Sequence, residues 1–114
     1  MKKQSKNNTI FPSGAIRDDR KGKLRMSLIP TTSLKRTMQR YLDGAEEYSE
    51  NNWAKGMDYS VFYDSAQRHM LQWWAGETDE DHLAAVVWNI MSLMYIEDTQ
   101  PGFDNRDKFP IKKV

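Results

Sequence analysis

Three stretches of the chain repeat apolar residues with the period of a helix. In "PTTSLKRTMQRYLDGAEEYSE", Leu34, Met38, Tyr41, Leu42, Ala45 and Tyr48 share a face, and Thr32 or Ser33 supplies an N-cap signal. A second helix begins after Asp58 or Ser60, puts Phe62, Ala66, His69, Met70 and Trp73 on one side, and stops at Gly76. In a third, Leu83, Val86, Val87, Ile90, Met91 and Met94 form the apolar stripe, and Pro101 and Gly102 prevent continuation. The acidic run "ETDED" stands at the start of that helix, where the macrodipole favours negative charge. No strand signal competes, because "VFY" is short and lies inside the second helical pattern. The pattern predicts an all-α fold, a small bundle of three main helices with an irregular N-terminal arm.

That arm changes the picture through its charge. Met1 to Arg25 holds eight Lys/Arg against two Asp, whereas Asp43 to Asp81 holds ten Asp/Glu against two Lys/Arg. A basic arm thus belongs to an acidic body. Acidic side chains suit a hard divalent cation, and Lys and Arg suit phosphate, so the two together match a metal-nucleotide. An acidic body argues against a nucleic-acid polymer. The expected division is a disordered basic tail over 1–12, a helical domain with its arm over 13–99, and a short basic tail over 100–114.

Composition sets further bounds. The 114 residues make one domain with a modest core. Four Trp, five Tyr and seven Met are a large apolar load for that length, so a homo-oligomer, dimer or tetramer, is expected. The absence of Cys excludes disulfides, thiolate metal sites and a Cys nucleophile. No apolar run approaches the roughly 18 residues of a membrane span. No apolar segment follows the basic N-terminus as in a secretory signal. The expected location is the cytoplasm, without membrane contact.

Several polar residues sit where plain helix pairs bury Leu and Val. His69 lies on the second helix, and His82 and Asn89 on one face of the third with Ala85 and Val86 between them. Polar groups flanking a small residue suggest a lined cavity. Glu46, Glu47 and Glu50 end the first helix, and Glu77, Asp79, Glu80 and Asp81 fill the turn before the third; the two clusters could converge on one cation. Gly44, inside a helix, suits close packing or ligand approach. Trp53 or Trp73 could stack on a nucleobase, and "RDDRKGKLR" could grip phosphate.

Four blocks, "GAIRDDRKGKLRMSLIP", "GAEEYSENNWAKG", "SAQRHMLQWWAGE" and "EDHLAAVVWNIMSL", resemble in order and spacing the phage and bacterial dATP/dGTP diphosphohydrolase family. By this resemblance the chain is similar to the MazG-like all-α nucleoside triphosphate pyrophosphohydrolases, which are helical, oligomeric and Mg-dependent. The resemblance implies cleavage of dGTP or dATP to the monophosphate with Mg2+ (or Mn2+). It matches Arg17, Asp18, Lys23 and Arg25 in the arm; Glu46, Tyr48, Asn52, Trp53 and Gly56 next; then Arg68, His69, Trp73, Gly76 and Glu77; and finally His82, Trp88 and Asn89.

The roles expected from residues and resemblance together are these. Lys23, Arg25, His69 and His82 serve catalysis: the two cations neutralise the leaving pyrophosphate, and a histidine orients water or phosphate. Arg17, Asp18, Tyr48, Asn52, Trp53, Arg68, Trp73 and Asn89 bind a purine nucleotide. Glu46, Glu77 and Asp81 hold the metal. The chain departs from the pattern at Ser27 (usually Asp), at Glu47 (usually Lys), and at His82 and Ala85, where the wider group has Glu and Asp ligands. Those departures support an alternative, a non-catalytic phage protein that sequesters a (cyclic) nucleotide signal. If phage-encoded, it would act in the host cytoplasm.

Overall fold

The computed structural model describes residues 7–106 and residue 109. Expectations for residues 1–6, 107, 108 and 110–114 lie outside the described residues. Three helices dominate: α1 (Thr31–Glu47), α2 (Tyr59–Trp74) and α3 (His82–Thr99). α3 is central, packing mainly along α2 and also against α1. The all-α reading stands, with one addition.

That addition lies in the arm. Strands β1 (Asn8–Ile10) and β2 (Ile16–Asp18) pair antiparallel, with Thr9 opposite Arg17. Sequence periodicity gave no sign of them, because each is three residues long and neither has a buried face to impose alternation. Gly14, at φ +88°, permits the connecting turn. The arm projects from the bundle: the radius of gyration is 20.2 Å, where a compact chain of this length would have about 13 Å.

Helix ends follow local chemistry. α1 starts one residue before the expected cap: Pro30 is its N-cap and no side chain caps it. Proline cannot continue a helix backwards, so its position overrides the weaker Thr/Ser signal. At the end of α2, Gly76 (φ +83°) donates to Trp73 O and Glu77 N donates to Gln72 O. These are the two bonds of a Schellman stop. Asp81 caps α3 by accepting from Ala84 N at 3.1 Å.

The apolar core lies at the loop end of the bundle. Tyr59, Phe62 and Ile96 are buried there, with Trp53, Met57, Trp88, Leu93 and Phe103 packed around them. Phe103 comes from the segment after α3 and passes directly over Gly56, whose φ is +105°. Asn105 then reaches the start of α2, accepting from Ser60 N at 3.0 Å and donating to Ser60 Oγ at 2.7 Å. Residues after Thr99 therefore close the domain, and the folded unit runs past position 99.

The buried face of α3 differs from the expected stripe. Ala85, Asn89, Ser92 and Ile96 point inward, whereas Val87, Ile90, Met91 and Met94 are 42–56% exposed. α3 is apolar nearly all round, so its pattern carries little contrast to mark an inner face. The same displacement leaves Met70 and Trp73 exposed on α2.

Candidate functional site

Each buried polar group of α3 has a partner on a flanking helix. Ser92 Oγ lies 2.9 Å from Tyr41 OH of α1. Asn89 Nδ2 donates to Ser65 Oγ of α2 at 3.1 Å and to Ala85 O at 2.8 Å. Both amide protons are thereby spent, which fixes the amide orientation and leaves Oδ1 as the acceptor. His82 Nδ1 lies 2.9 Å from His69 Nδ1. Polar pairs thus join the helices where a plain bundle would use Leu.

The histidine pair ends in carboxylates. Asp79 Oδ1 lies 2.7 Å from His82 Nε2, and Glu80 Oε1 lies 3.8 Å from His69 Nδ1. The hydrogen bond from His82 holds the Asp79 carboxyl below its ordinary range. Burial is the main cause that lowers the pKa of His69, against the opposing pull of Glu80. The neutral imidazole is therefore favoured. Arg40 of α1 donates to Glu80 at 2.7 Å, and Arg36 forks onto Asp81 with two bonds of 2.7 Å. That fork pushes Asp81 down to about 2.

Two cavities meet beside this network. One, of about 490 Å3, is lined by Arg40, Asp43, Glu47, Ser65, His69, Glu80 and Asn89. The other, of about 510 Å3, is lined by aromatic and amide side chains, among them Tyr41, Asn52 and Trp53. Gly44, Tyr48 and Trp88 line both, so the two form one groove with a polar half and an aromatic half. At Gly44 a Cβ would meet nothing within 4 Å. That glycine borders open space rather than a tight packing contact.

The structure gathers some sequence-predicted residues and separates others. Tyr48, Asn52 and Trp53 reach the aromatic half, and His69 and Asn89 the polar half, with His82 buried behind His69. Arg68 does not line either half but donates to Ser65 Oγ at 3.4 Å, and Trp73 lines a shallow depression with Trp74 away from the groove. Arg17, Asp18, Lys23 and Arg25 sit on the exposed arm. Glu46 and Glu77 are exposed and line neither half, and Asp81 is occupied by Arg36. Among the described residues these three carboxylates are not gathered closely enough to share one ion. Among the described residues, the His, Asp and Glu side chains close enough to share an ion are His69, Glu80 and His82, all within 4.8 Å. Arg40, Asp43 and Ser65 were not singled out as site residues, and Glu80 was named only as one member of the acidic cluster. The signal available for Arg40 was its i,i+4 spacing from Arg36, which aims two cations at the acidic turn.

The fold and groove define a small helical-bundle protein with a histidine–carboxylate network beside an aromatic cleft. It belongs to the dATP/dGTP diphosphohydrolase family, through that family's N-terminal domain, whose model matches residues 13–106. No curated protein and no solved structure matches the chain. No helix among the described residues is long and apolar enough to cross a membrane.

Proposed function

We propose that the groove binds a purine deoxynucleoside triphosphate, dATP or dGTP, and that the chain hydrolyses it to the monophosphate. The observation that carries this reading is the joining of an aromatic half to a polar half through Gly44, Tyr48 and Trp88. Each half is within the usual range of small-molecule sites. The base would stack against Trp53 and Tyr48, where planar rings gain contact at little entropic cost. Asn89 Oδ1, held as an acceptor, would take a hydroxyl or amino proton. His69 would face the phosphates in its neutral form and orient a water or a phosphate oxygen.

The polar half lacks free positive charge, since Arg40, its cation, is committed to Glu80. Phosphates therefore need cations from elsewhere. Arg17, Lys23 and Arg25 on the arm form no ion pair among the described residues, so their charge remains available. We infer that the arm closes on the phosphates, from its own chain or from a second copy. Exposed Val87, Ile90, Met91 and Met94 on α3 support assembly into a homo-oligomer. Mg2+ or Mn2+ would enter with the triphosphate opposite Asp43 and Glu47 and would neutralise phosphate charge.

The test is incubation of the purified chain with dATP, dGTP and a cyclic dinucleotide, with Mg2+ or EDTA, followed by chromatography. Metal-dependent appearance of monophosphate and pyrophosphate supports the reading. Tight binding of an intact nucleotide without product overturns the hydrolase and leaves a sequestering protein. Light scattering tests assembly, and a 13.4 kDa particle would remove it.

A further inference from the structure

The His69–His82 contact has the features of a metal site as well as those of a satisfied polar pair. We propose that His69, His82 and Glu80 bind a divalent transition-metal ion of the zinc class, resident in the protein and separate from any ion that arrives with a nucleotide. The donors come from three places: the last turns of α2, the acidic turn, and the first residue of α3. Their spacing is the first argument. The two Nδ1 atoms are 2.9 Å apart and Glu80 Oε1 is 3.8 Å from His69 Nδ1. Ligands at about 2.0–2.1 Å from a tetrahedral ion stand roughly 3.3 Å from one another; these two separations bracket that value, and all three donor atoms lie within 4.8 Å of one another.

Protonation is the second argument. Asp79 accepts from His82 Nε2 at 2.7 Å, which puts the proton on Nε2 and the lone pair on Nδ1. That lone pair points at His69 Nδ1. A carboxylate behind a ligating histidine is the usual way a protein fixes the tautomer and raises the ligand's basicity. Without an ion, His69 must donate its Nδ1 proton to His82. With one, that proton moves to Nε2 of His69, and both Nδ1 atoms become donors to the metal.

Donor chemistry is the third argument. Two imidazoles and one carboxylate suit zinc or its neighbours, whereas Mg2+ prefers oxygen alone. Both rings are buried, at 7% and 2% exposure, and Arg40 donates at 2.7 Å to the same Glu80 Oε1 that stands near His69, which keeps that carboxylate in place. Three protein ligands leave a position for water or a phosphate oxygen. His69 and Glu80 also line the polar half of the groove, so that position adjoins it. The proposal does not depend on nucleotide hydrolysis, and its test contains no nucleotide.

The experiment uses the full chain stripped of metal with EDTA. Zn2+ is titrated calorimetrically, and Co2+ is followed by its visible absorption. Expected are a single strong site per chain, d–d bands of nitrogen-ligated Co2+, and no competition from a comparable concentration of Mg2+. His69→Gln and His82→Gln should each abolish the site, with folding checked by circular dichroism. Should either fail to fold, Glu80→Gln keeps the test open: its side chain lies at the surface of a turn, and the change should weaken binding at least tenfold. Asp79→Asn should weaken it by about tenfold to a hundredfold, the range for groups that orient a ligand. Glu97→Gln, near the opposite end of α3, should leave it unchanged. Absence of a Zn2+ site, equal competition by Mg2+, or wild-type affinity in Glu80→Gln would overturn the assignment.

Discussion

The two ends of this bundle are held by opposite means. At the loop end, Tyr59, Phe62 and Ile96 are buried among Trp53, Met57, Trp88, Leu93 and Phe103. Trp53 contacts Tyr41, Trp88 and Tyr95 edge-on, with ring centroids 5.3–6.4 Å apart. At the turn end, Arg36, Arg40, His69 and His82 meet Asp79, Glu80 and Asp81 through hydrogen bonds and ion pairs. Apolar burial is non-directional and contributes the larger stabilisation. Exposed ion pairs contribute little, but they fix geometry. The chain therefore concentrates its stability at one end and its ordered polar chemistry at the other, with the groove running between.

Phe62→Ala tests the stable end most severely. Phe62 is 1% exposed at the centre of the core. Its truncation should cost about 3–5 kcal/mol, and the thermal midpoint should fall by on the order of 10–20 °C. A loss below about 1 kcal/mol would mean that the aromatic end does not anchor the fold. Gly56→Ala comes next. A Cβ there would overlap the Phe103 ring and Gln100, and φ +105° is strained for any L side chain. Strain and overpacking together should cost about 2–4 kcal/mol in urea denaturation.

How much of this contrast could be read from sequence differs between the ends. Helix count, helix limits to within a few residues, and the polar intrusions His69, His82 and Asn89 were all legible, because each is a departure from a short-range period. The partner of each intrusion was not. Whether Asn89 meets Ser65 or opens to solvent depends on how α3 is rotated, and a helix apolar on nearly every side does not encode its rotation. The acidic turn was read as one half of a cation site, yet two of its members are engaged by α1 across 40 and 45 positions of chain. Pairing at such separation leaves no local periodic trace. The closing role of Phe103 and Asn105 was hidden for the same reason, since a Phe and an Asn after a Pro-Gly stop look like a tail. Family resemblance located the groove residues Tyr48, Asn52 and Trp53 but also carried Trp73, which lines a separate depression.

Asp81→Asn probes the polar end with a smaller effect. Arg36 holds the Asp81 carboxyl at about 2, below its ordinary 3.8. A depressed carboxyl binds fewer protons folded than unfolded. Its stabilisation is therefore complete above about pH 4 and is lost as pH falls toward 2. The Asp81 side chain is 36% exposed, so solvent screening reduces the contribution to about 1 kcal/mol. Asparagine retains the N-cap, so a melt series from pH 7 to pH 2 should differ from wild type mainly through the lost Arg36 pair. The variant's curve should be flatter between pH 4 and pH 2. Parallel curves would show that the pair contributes nothing to folding.

Gly44→Ala reverses the sign and joins the two ends. Gly44 lies inside α1, where glycine costs about 0.5–1 kcal/mol relative to alanine through its backbone freedom. The added methyl group would meet no atom within 4 Å, so no packing penalty opposes the gain. The variant should melt a few degrees higher. The same methyl would project into the open space where the aromatic and polar halves of the groove join, a junction that Tyr48 and Trp88 also line. A nucleotide spanning that junction needs the space, so affinity for dATP or dGTP should fall while stability rises. A helical glycine kept against propensity is accounted for if both changes occur together. If the melting point rises and nucleotide affinity stays at the wild-type value, the two halves are not used by one ligand, and the groove loses its claim to be the binding site.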